Sequence, residues 1–544
     1  MQSLFVDEKP RPPDRKPRLA FRVRWPSPLS DPAPYHVGRW LFLRLLGLVY
    51  LCAFVSLWVQ LDGLIGSAGV LPAQRLMELA SEQLRGRVDV FPTLLWISAS
   101  DNALHGMTVA GVVLAGLLVA GIAPAAVLFA LWALYLSLSL GGQVFFSFQW
   151  DTLLLEAGFL AIWIAPLTMH PRSERRAIVQ RPAIWLLWWL LFRLMFESGY
   201  VKLASGDPAW TSLTALRYHF ETQPLPTWIG WYAHQLPDRV LWGMTAATLL
   251  AELLVPFLIF TTARLRRMAC AALVVLQIAI LHTGNYGFFN FLTLALCALL
   301  LDDSIWPRAL RRFAGAEAPA SATEPVLGKT ARSWPLAILV PVSAALFVLS
   351  LAPTAASFEL RTPRWLSAAY ERVQPFRTVN NYGLFAVMTT ERPEIIVEGS
   401  ADGENWLPYE FPYKPGALYR TPLFVAPHQP RLDWQMWFAA LGTVEGNPWF
   451  LRFVQRLLIG SPEVVALLNE NPFPGGPPLT VRATVYDYRF TDPETLAATG
   501  NWWRRENPRP YCPAVMLNAE GRLILFETKP RAEPAAGVTE PSTE

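Results

Sequence analysis

The stretch PAIWLLWWLLFRLMFESGYVK (182–202) decides how the rest of the chain is read. It is mostly apolar over the length of about 20 residues that a membrane-crossing helix needs. Eight further stretches resemble it: 39–60, 103–121, 124–141, 146–166, 239–260, 268–283, 286–302 and 334–352, giving nine candidate spans. The whole 544-residue chain is 53% hydrophobic and only 16% charged, where soluble domains average about 25% charged. With 23 Trp and 31 Phe, this composition excludes a disordered chain and a plain soluble enzyme. A net charge of +4 does not call for a polyanion, so no nucleic-acid partner is expected.

Basic residues fall between the spans in four places. The first is the tail at 1–38, with Lys9, Arg11, Arg15, Lys16, Arg18, Arg22 and Arg24. The second is 167–181, with Arg172, Arg175, Arg176 and Arg181. The third is 261–267, with Arg264, Arg266 and Arg267. The fourth is 303–333, with Arg308, Arg311, Arg312, Lys329 and Arg332. Nine spans put all four on one side, and the excess of Lys and Arg makes that side cytoplasmic. The loops 61–102 and 203–238 and everything after 352 then lie on the far side. The tail is too polar for a signal peptide and is expected to be retained.

The expected domains are a basic tail (1–38), a helix bundle (39–302), a linker (303–333) containing AGAEAPASATEP, a last membrane helix (334–352), a soluble domain (353–528) and a disordered tail (529–544). In the soluble domain EIIVEGS (394–400), Asp402-Gly403 and Trp406 read as strand, tight turn, strand. LTVRATV (479–485) and RLILFET (522–528) read as further strands. Asn447-Pro448 and Ser461-Pro462 read as helix starts. The fold class is a multi-pass α-helical bundle followed by a mostly-β, sandwich-like domain with a helical insertion. Of the four cysteines, Cys52, Cys270 and Cys297 lie in apolar runs, and each reads as a packed small hydrophobe.

Charge inside a bilayer is expensive, so each ionisable group there is a candidate. Glu156, Arg193, Glu197, Lys202 and Glu252 qualify. Arg193 with Glu197 (i,i+4) or with Glu156 reads as a neutralised pair. Lys202 reads either as a snorkelling anchor or as a base with a lowered pKa. The loop 203–238 is polar and aromatic, with Trp210, His219, Trp228, Trp231 and His234. No ligand spacing such as HExxH accompanies its His219, Glu221 and His234, so no metal and no cofactor are expected. The Asn285–Asn290 segment reads as the opening of a span. HQPRLDWQMWF (428–438) brings His428, Arg431, Asp433 and Trp434 together. It reads as an Arg431–Asp433 structural contact or as a partner-binding surface.

Long segments carry a resemblance: QWDTLLLEAGFLAIWIAP, SGDPAWTSLTALRYHFETQPLPTWIGWYAHQLP, TGNYGFFNFLTLALCALLLDD, NNYGLFAVMTTERPEIIVEGSADGENW and FVAPHQPRLDWQMWFAAL. In order, from about 40 to 512, they resemble the lipase maturation factor family. That resemblance implies a multi-pass membrane protein that helps secreted lipases reach an active fold. It implies residence in the ER membrane, or in the inner membrane of a bacterial cell. It also implies that the 203–238 loop and the C-terminal domain face client proteins. More distantly, LDGLIGSAGVLPA (61–73) and GYVKLASGDPAW (199–210) resemble the membrane domain of vitamin K-dependent carboxylases, in which Lys202 would occupy the place of a catalytic base. The histidine those enzymes carry in an earlier span is missing from FQWDTLL.

Three functions are therefore weighed. The first is a folding factor that holds secreted clients, probed at Trp228 and Trp231. The second is an integral-membrane enzyme using Lys202. The third is a transporter, against which stands the lack of inverted repeats or matching broken spans. The folding factor is the expected function.

Overall fold

The computed structural model describes residues 34–84, 86–171, 177–316 and 333–526. The tail at 1–33, Arg172, Arg175, Arg176, Lys329, Arg332, most of the linker and the 529–544 tail lie outside the described residues.

Each of the nine apolar stretches folds as a helix: α1 His36–Trp58, α2 Asp101–Ala120, α3 Pro124–Gly141, α4 Gln149–Ile164, α5 Arg181–Ala204, α6 Asp238–Leu253, α7 Ala263–Thr283, α8 Phe289–Ala298 and α9 Leu336–Ser357. Seven are long and apolar enough to cross a membrane, α6 together with the 3₁₀ turn that extends it to Phe260. The other two are short. At 1.5 Å per residue, α4 covers about 24 Å and α8 about 15 Å of a core of about 30 Å. Their approaches are not α-helical: Gln143 and Gly287 take positive φ angles (51° and 55°), so neither helix by itself has the length of a span, where the sequence reading expected one. The helix ends follow local chemistry. The Ser100 hydroxyl caps α2, accepting from Ala103 N, and Gly121 ends it in the left-handed region at φ 80°. Prolines 124 and 182 sit in the first turns of α3 and α5.

One end of the bundle gathers the described parts of all four basic segments. Asp303 accepts from His36 N (3.1 Å) and Val37 N (2.9 Å). Arg267 pairs with Asp302 at 2.7 Å, and Arg266 lies 4.4 Å over Trp188. Gln180 Nε2 donates to Trp334 O (2.6 Å), which places the start of α9 there too. The 61–100 loop, the 205–237 loop and the C-terminal domain sit at the opposite end.

The C-terminal domain holds one five-stranded antiparallel sheet, order β2-β1-β3-β4-β5. The strands are β1 Arg392–Ser400, β2 Leu407–Pro408, β3 Thr480–Phe490, β4 Trp503–Leu517 and β5 Leu523–Leu525. β1 and β3 stay in register from Arg392↔Tyr488 to Ser400↔Thr480. The turn after β1 is held by the Asp402 carboxylate, which accepts from Glu404 N and Asn405 N (2.8 Å each). Between β2 and β3 come α10 Arg431–Ala440 and α11 Pro448–Ile459, then a turn of helix at Pro462–Val465. These are the helical insertion. Helices therefore cover the sheet where a sandwich would place a second sheet. Both helix starts fall where the Asn-Pro and Ser-Pro pairs put them. Neither side chain caps, however: Asn447 Nδ2 donates to Thr443 O and the Ser461 hydroxyl to Ala68 O, both at 2.9 Å. β4 contains Pro508, Pro510 and Pro513 and so gives a poor strand signal. It tolerates them because β5 covers only Val515–Leu517, leaving the rest of that edge free.

Candidate functional site

Lys202 sits in the last turn of α5. One turn earlier, Gly199 lets α6 approach: a Cβ there would lie 2.9 Å from Glu252 Cβ. The Lys202 ammonium donates to Glu252 Oε2 (2.6 Å) and to Ser198 O (3.3 Å), and lies 5.2 Å over the Trp210 ring. Both partners are buried. Pairing removes most of the cost of burying either charge. Trp210, also buried, donates to Phe385 O (2.9 Å). His219 Nε2 lies 3.2 Å from the Tyr286 hydroxyl, which donates to Gln223 Oε1 (2.8 Å). Burial, helped by Lys202, pushes the His219 imidazole down to about 4, so it is neutral at pH 7.

A second set of charges ties the C-terminal domain into the bundle. Glu156 pairs with Arg193. It also accepts from Asn380 N (2.8 Å) and from the Tyr382 hydroxyl (2.8 Å). Arg193 donates to Asn380 O (2.7 Å). Of the two pairings open for Arg193, the one with Glu156 forms. Glu197 instead accepts from the Thr354 hydroxyl (2.6 Å) and Tyr382 N (2.9 Å). A third tie joins Arg431 to Asp151 (2.8 Å), and the Tyr135 hydroxyl donates to the same carboxylate (2.5 Å).

The expected Arg431–Asp433 contact does not form. Residues two apart on a helix face different ways. Asp433 Oδ1 accepts from Tyr413 N and Lys414 N (2.8 Å each), and burial raises its carboxyl to about 6. His428 rests on the Ser56 hydroxyl (2.9 Å), and burial with Arg431 nearby lowers it to about 4. Trp434 packs edge-on to Trp150, centroids 4.6 Å apart.

The 203–238 loop is locked to the sheet. Trp231, 1% exposed, shares a core with Ile396, Tyr488, Phe490 and Trp503. Glu221 pairs with Arg489 (3.0 Å), and His234 lies 3.8 Å from it. Burial lowers His234, against the pull of Glu221. Arg392 donates to Glu221 O (2.7 Å) and Pro224 O (2.8 Å). Among the residues expected to meet a client, Trp210, Trp231, Arg431, Asp433 and Trp434 are thus interior. His219, His234 and His428 are half-buried, and Trp228 is 42% exposed. Among the described residues no group of three or more His, Cys, Asp or Glu comes together as metal ligands.

Several joining residues escaped the sequence reading: Asp151, Asn285, Asn380 and Tyr382. Asn285 is a hub and not merely the opening of a span. It donates to Leu225 O (3.1 Å) and Leu423 O (2.8 Å) and accepts from Val425 N (2.7 Å). A signal was present. The pattern Asn-Tyr-Gly-x-Phe occurs at 285–289 and again at 381–385, and the two copies meet where the Tyr286 and Phe385 rings pack edge to face at 5.7 Å.

Known proteins match this chain over both halves. The lipase maturation factor transmembrane domain matches residues 37–308, and the lipase maturation factor C-terminal domain matches 378–513. Lipase maturation factor 2 of Gallus gallus is 37% identical over 88% of this chain and 81% of its own length. The Homo sapiens protein of that name is 37% identical over 88% and 82%. Lipase maturation factor 1 of Mus musculus is 34% identical over 93% of each chain. No solved structure matches. Nothing in these matches supports the carboxylase alternative.

Proposed function

Because the chain belongs to the lipase maturation factor family, we propose that this multi-pass membrane protein assists the folding and activation of secreted lipases. One observation carries the reading. The 203–238 loop and the C-terminal sheet belong to separately matched domains, yet they share the core around Trp231. The end of the bundle away from the basic segments is therefore one continuous platform. On it Trp228, Tyr232 and Phe424 are exposed, and the Trp228 ring lies 6.2 Å from Tyr232 and 5.8 Å from Phe424. Exposed aromatic side chains of this kind dominate protein–protein contacts. In this reading the basic end is cytoplasmic and the platform faces the compartment that receives secreted chains, the ER lumen or a bacterial exterior.

The test is deletion of the gene in its own host, with secreted lipase measured as activity per mole of protein. Complementation uses wild type, Trp228→Ala with Phe424→Ala, and Lys202→Met with Glu252→Gln. The last pair removes both charges together, so no buried ion is orphaned. Rescue by wild type and the Lys202/Glu252 variant, with impaired rescue by the aromatic variant, is expected. Failure of the Lys202/Glu252 variant, when it is present in the membrane at normal level, would point to lysine chemistry. Unchanged lipase on deletion would sink the proposal.

A further inference from the structure

α6 and α7 leave a cleft between them of about 680 Å3, lined by small and aliphatic side chains that include Ala247, Ala251, Ala272, Val275 and Ala279. That is within the range of ligand pockets, about 300–1,000 Å3. Its rim carries outward-facing residues of both helices, Leu250 (55% exposed) and Val275 (67% exposed). Both helices are long and apolar enough to span a membrane, and in a bilayer this mouth would open toward hydrocarbon. Lys202, Glu252, Tyr286 and Phe385 line the inner end of the cleft and also line a smaller cavity of about 60 Å3 behind it.

The small cavity differs in kind. Trp150 and Asn290 line it, at 4% and 0% exposure. Trp150 Nε1 and Asn290 Oδ1 have no hydrogen-bond partner among the described residues. Leaving a buried donor or acceptor unmade costs about 1–3 kcal/mol each. The two atoms are one donor and one acceptor, the two roles that a hydroxyl can answer. The Lys202–Glu252 pair at the neck is neutral as a unit and offers no net charge to a phosphate. The space equals about two waters, too little for a bulky head group.

We propose that this site binds a long-chain lipid with a small uncharged oxygen head. The chain lies between α6 and α7, and the hydroxyl passes the Lys202–Glu252 neck to accept from Trp150 and donate to Asn290. The site is independent of client binding on the platform.

The test uses the full chain in detergent micelles with hexadecanol carrying a mid-chain diazirine. Photolabelled peptides are mapped by mass spectrometry. Label is expected to concentrate on residues 244–255 and 271–280. Unlabelled hexadecanol should compete about tenfold better than hexadecane or hexadecyl phosphate at equal mole fraction, the effect of about one hydrogen bond. Ala251→Trp fills the cleft and should abolish labelling. If that variant does not fold, Ala272→Leu gives a partial loss. Asn290→Leu should keep the label but erase the preference for alcohol over alkane. Label spread evenly over all lipid-facing helices, or equal competition by hexadecane, would overturn the proposal and leave only annular lipid.

Discussion

Arg431 and Asp151 bury two full charges at 1% and 0% side-chain exposure, more than 250 residues apart in sequence. A buried pair adds little by itself, but removing one partner orphans the other at a cost of about 3–5 kcal/mol. Arg431→Leu should therefore destabilise the chain by about that amount, read as the midpoint of thermal unfolding in detergent. Adding Asp151→Leu should restore most of the loss. If the double variant is no better than the single, the tie does not work through charge. Asp433 gives a prediction in pH. Its folded carboxyl titrates near 6 against an ordinary 3.8, so between those values the folded chain holds a proton that the unfolded chain has released. The stability this group contributes falls as pH rises through that window, by about 3 kcal/mol. Asp433→Asn keeps an oxygen for the Tyr413 and Lys414 amides and cannot ionise. Its stability relative to the parent should therefore improve from pH 4 to pH 8, as followed by thermal unfolding across that range; a flat difference would contradict the assignment. His219 and His428 act in the opposite sense. Each is held near 4, so the stability they contribute is present above about 6.5 and is lost as pH falls toward 4.

The short Trp228–His234 helix carries two tryptophans three residues apart with different fates. Trp231 fills the core beneath β3 and β4, and Trp228 stands outside it. Trp231→Ala should cost about 3–5 kcal/mol and open the 203–238 loop to limited proteolysis. Trp228→Ala should leave stability and cleavage unchanged. Equal sensitivity of the two variants would mean that the loop is not locked to the sheet. The same helix marks how far the sequence could be read. Its aromatic character was legible, but which ring turns inward depends on where β3 and β4 lie, and that is set by contacts hundreds of residues away. The nine helices were legible because a long apolar run has few other destinations. β1 and β3 were legible from their alternation and turn chemistry. β4 was hidden by prolines that only a largely free edge permits. Glu156, Arg193, Glu197, Lys202 and Glu252 announced themselves by the cost of burying them. Their partners Asn380 and Tyr382 did not, since a polar residue in a soluble-looking segment carries no such signal.

At the scale of the molecule, the direction of α9 decides where the C-terminal domain lies. α1 starts beside Asp303, and α9 starts where Trp334 O accepts from Gln180, at the same end of the bundle. α9 then runs to Thr354, which meets Glu197 near the far end of α5. The sheet must therefore sit across the bundle from the basic segments, whether or not the short helices α4 and α8 are counted as full spans. The proposed function needs that end to be cytoplasmic, the side that an excess of Arg at the start of α7 and at 308–312 favours. Single cysteines test both statements. Ile305→Cys lies at the basic end, 48% exposed, and Glu520→Cys lies on the exposed turn between β4 and β5. The native thiols give little background, since Cys270, Cys297 and Cys512 are buried and Cys52 is half-buried within α1. A membrane-impermeant maleimide added to sealed vesicles with the cytoplasmic face outward should label Ile305→Cys at once. It should reach Glu520→Cys only after the membrane is permeabilised. Labelling of both from one side would break the end-to-end arrangement. A clean reversal would keep the arrangement but turn the platform toward the cytoplasm, where no secreted client could meet it.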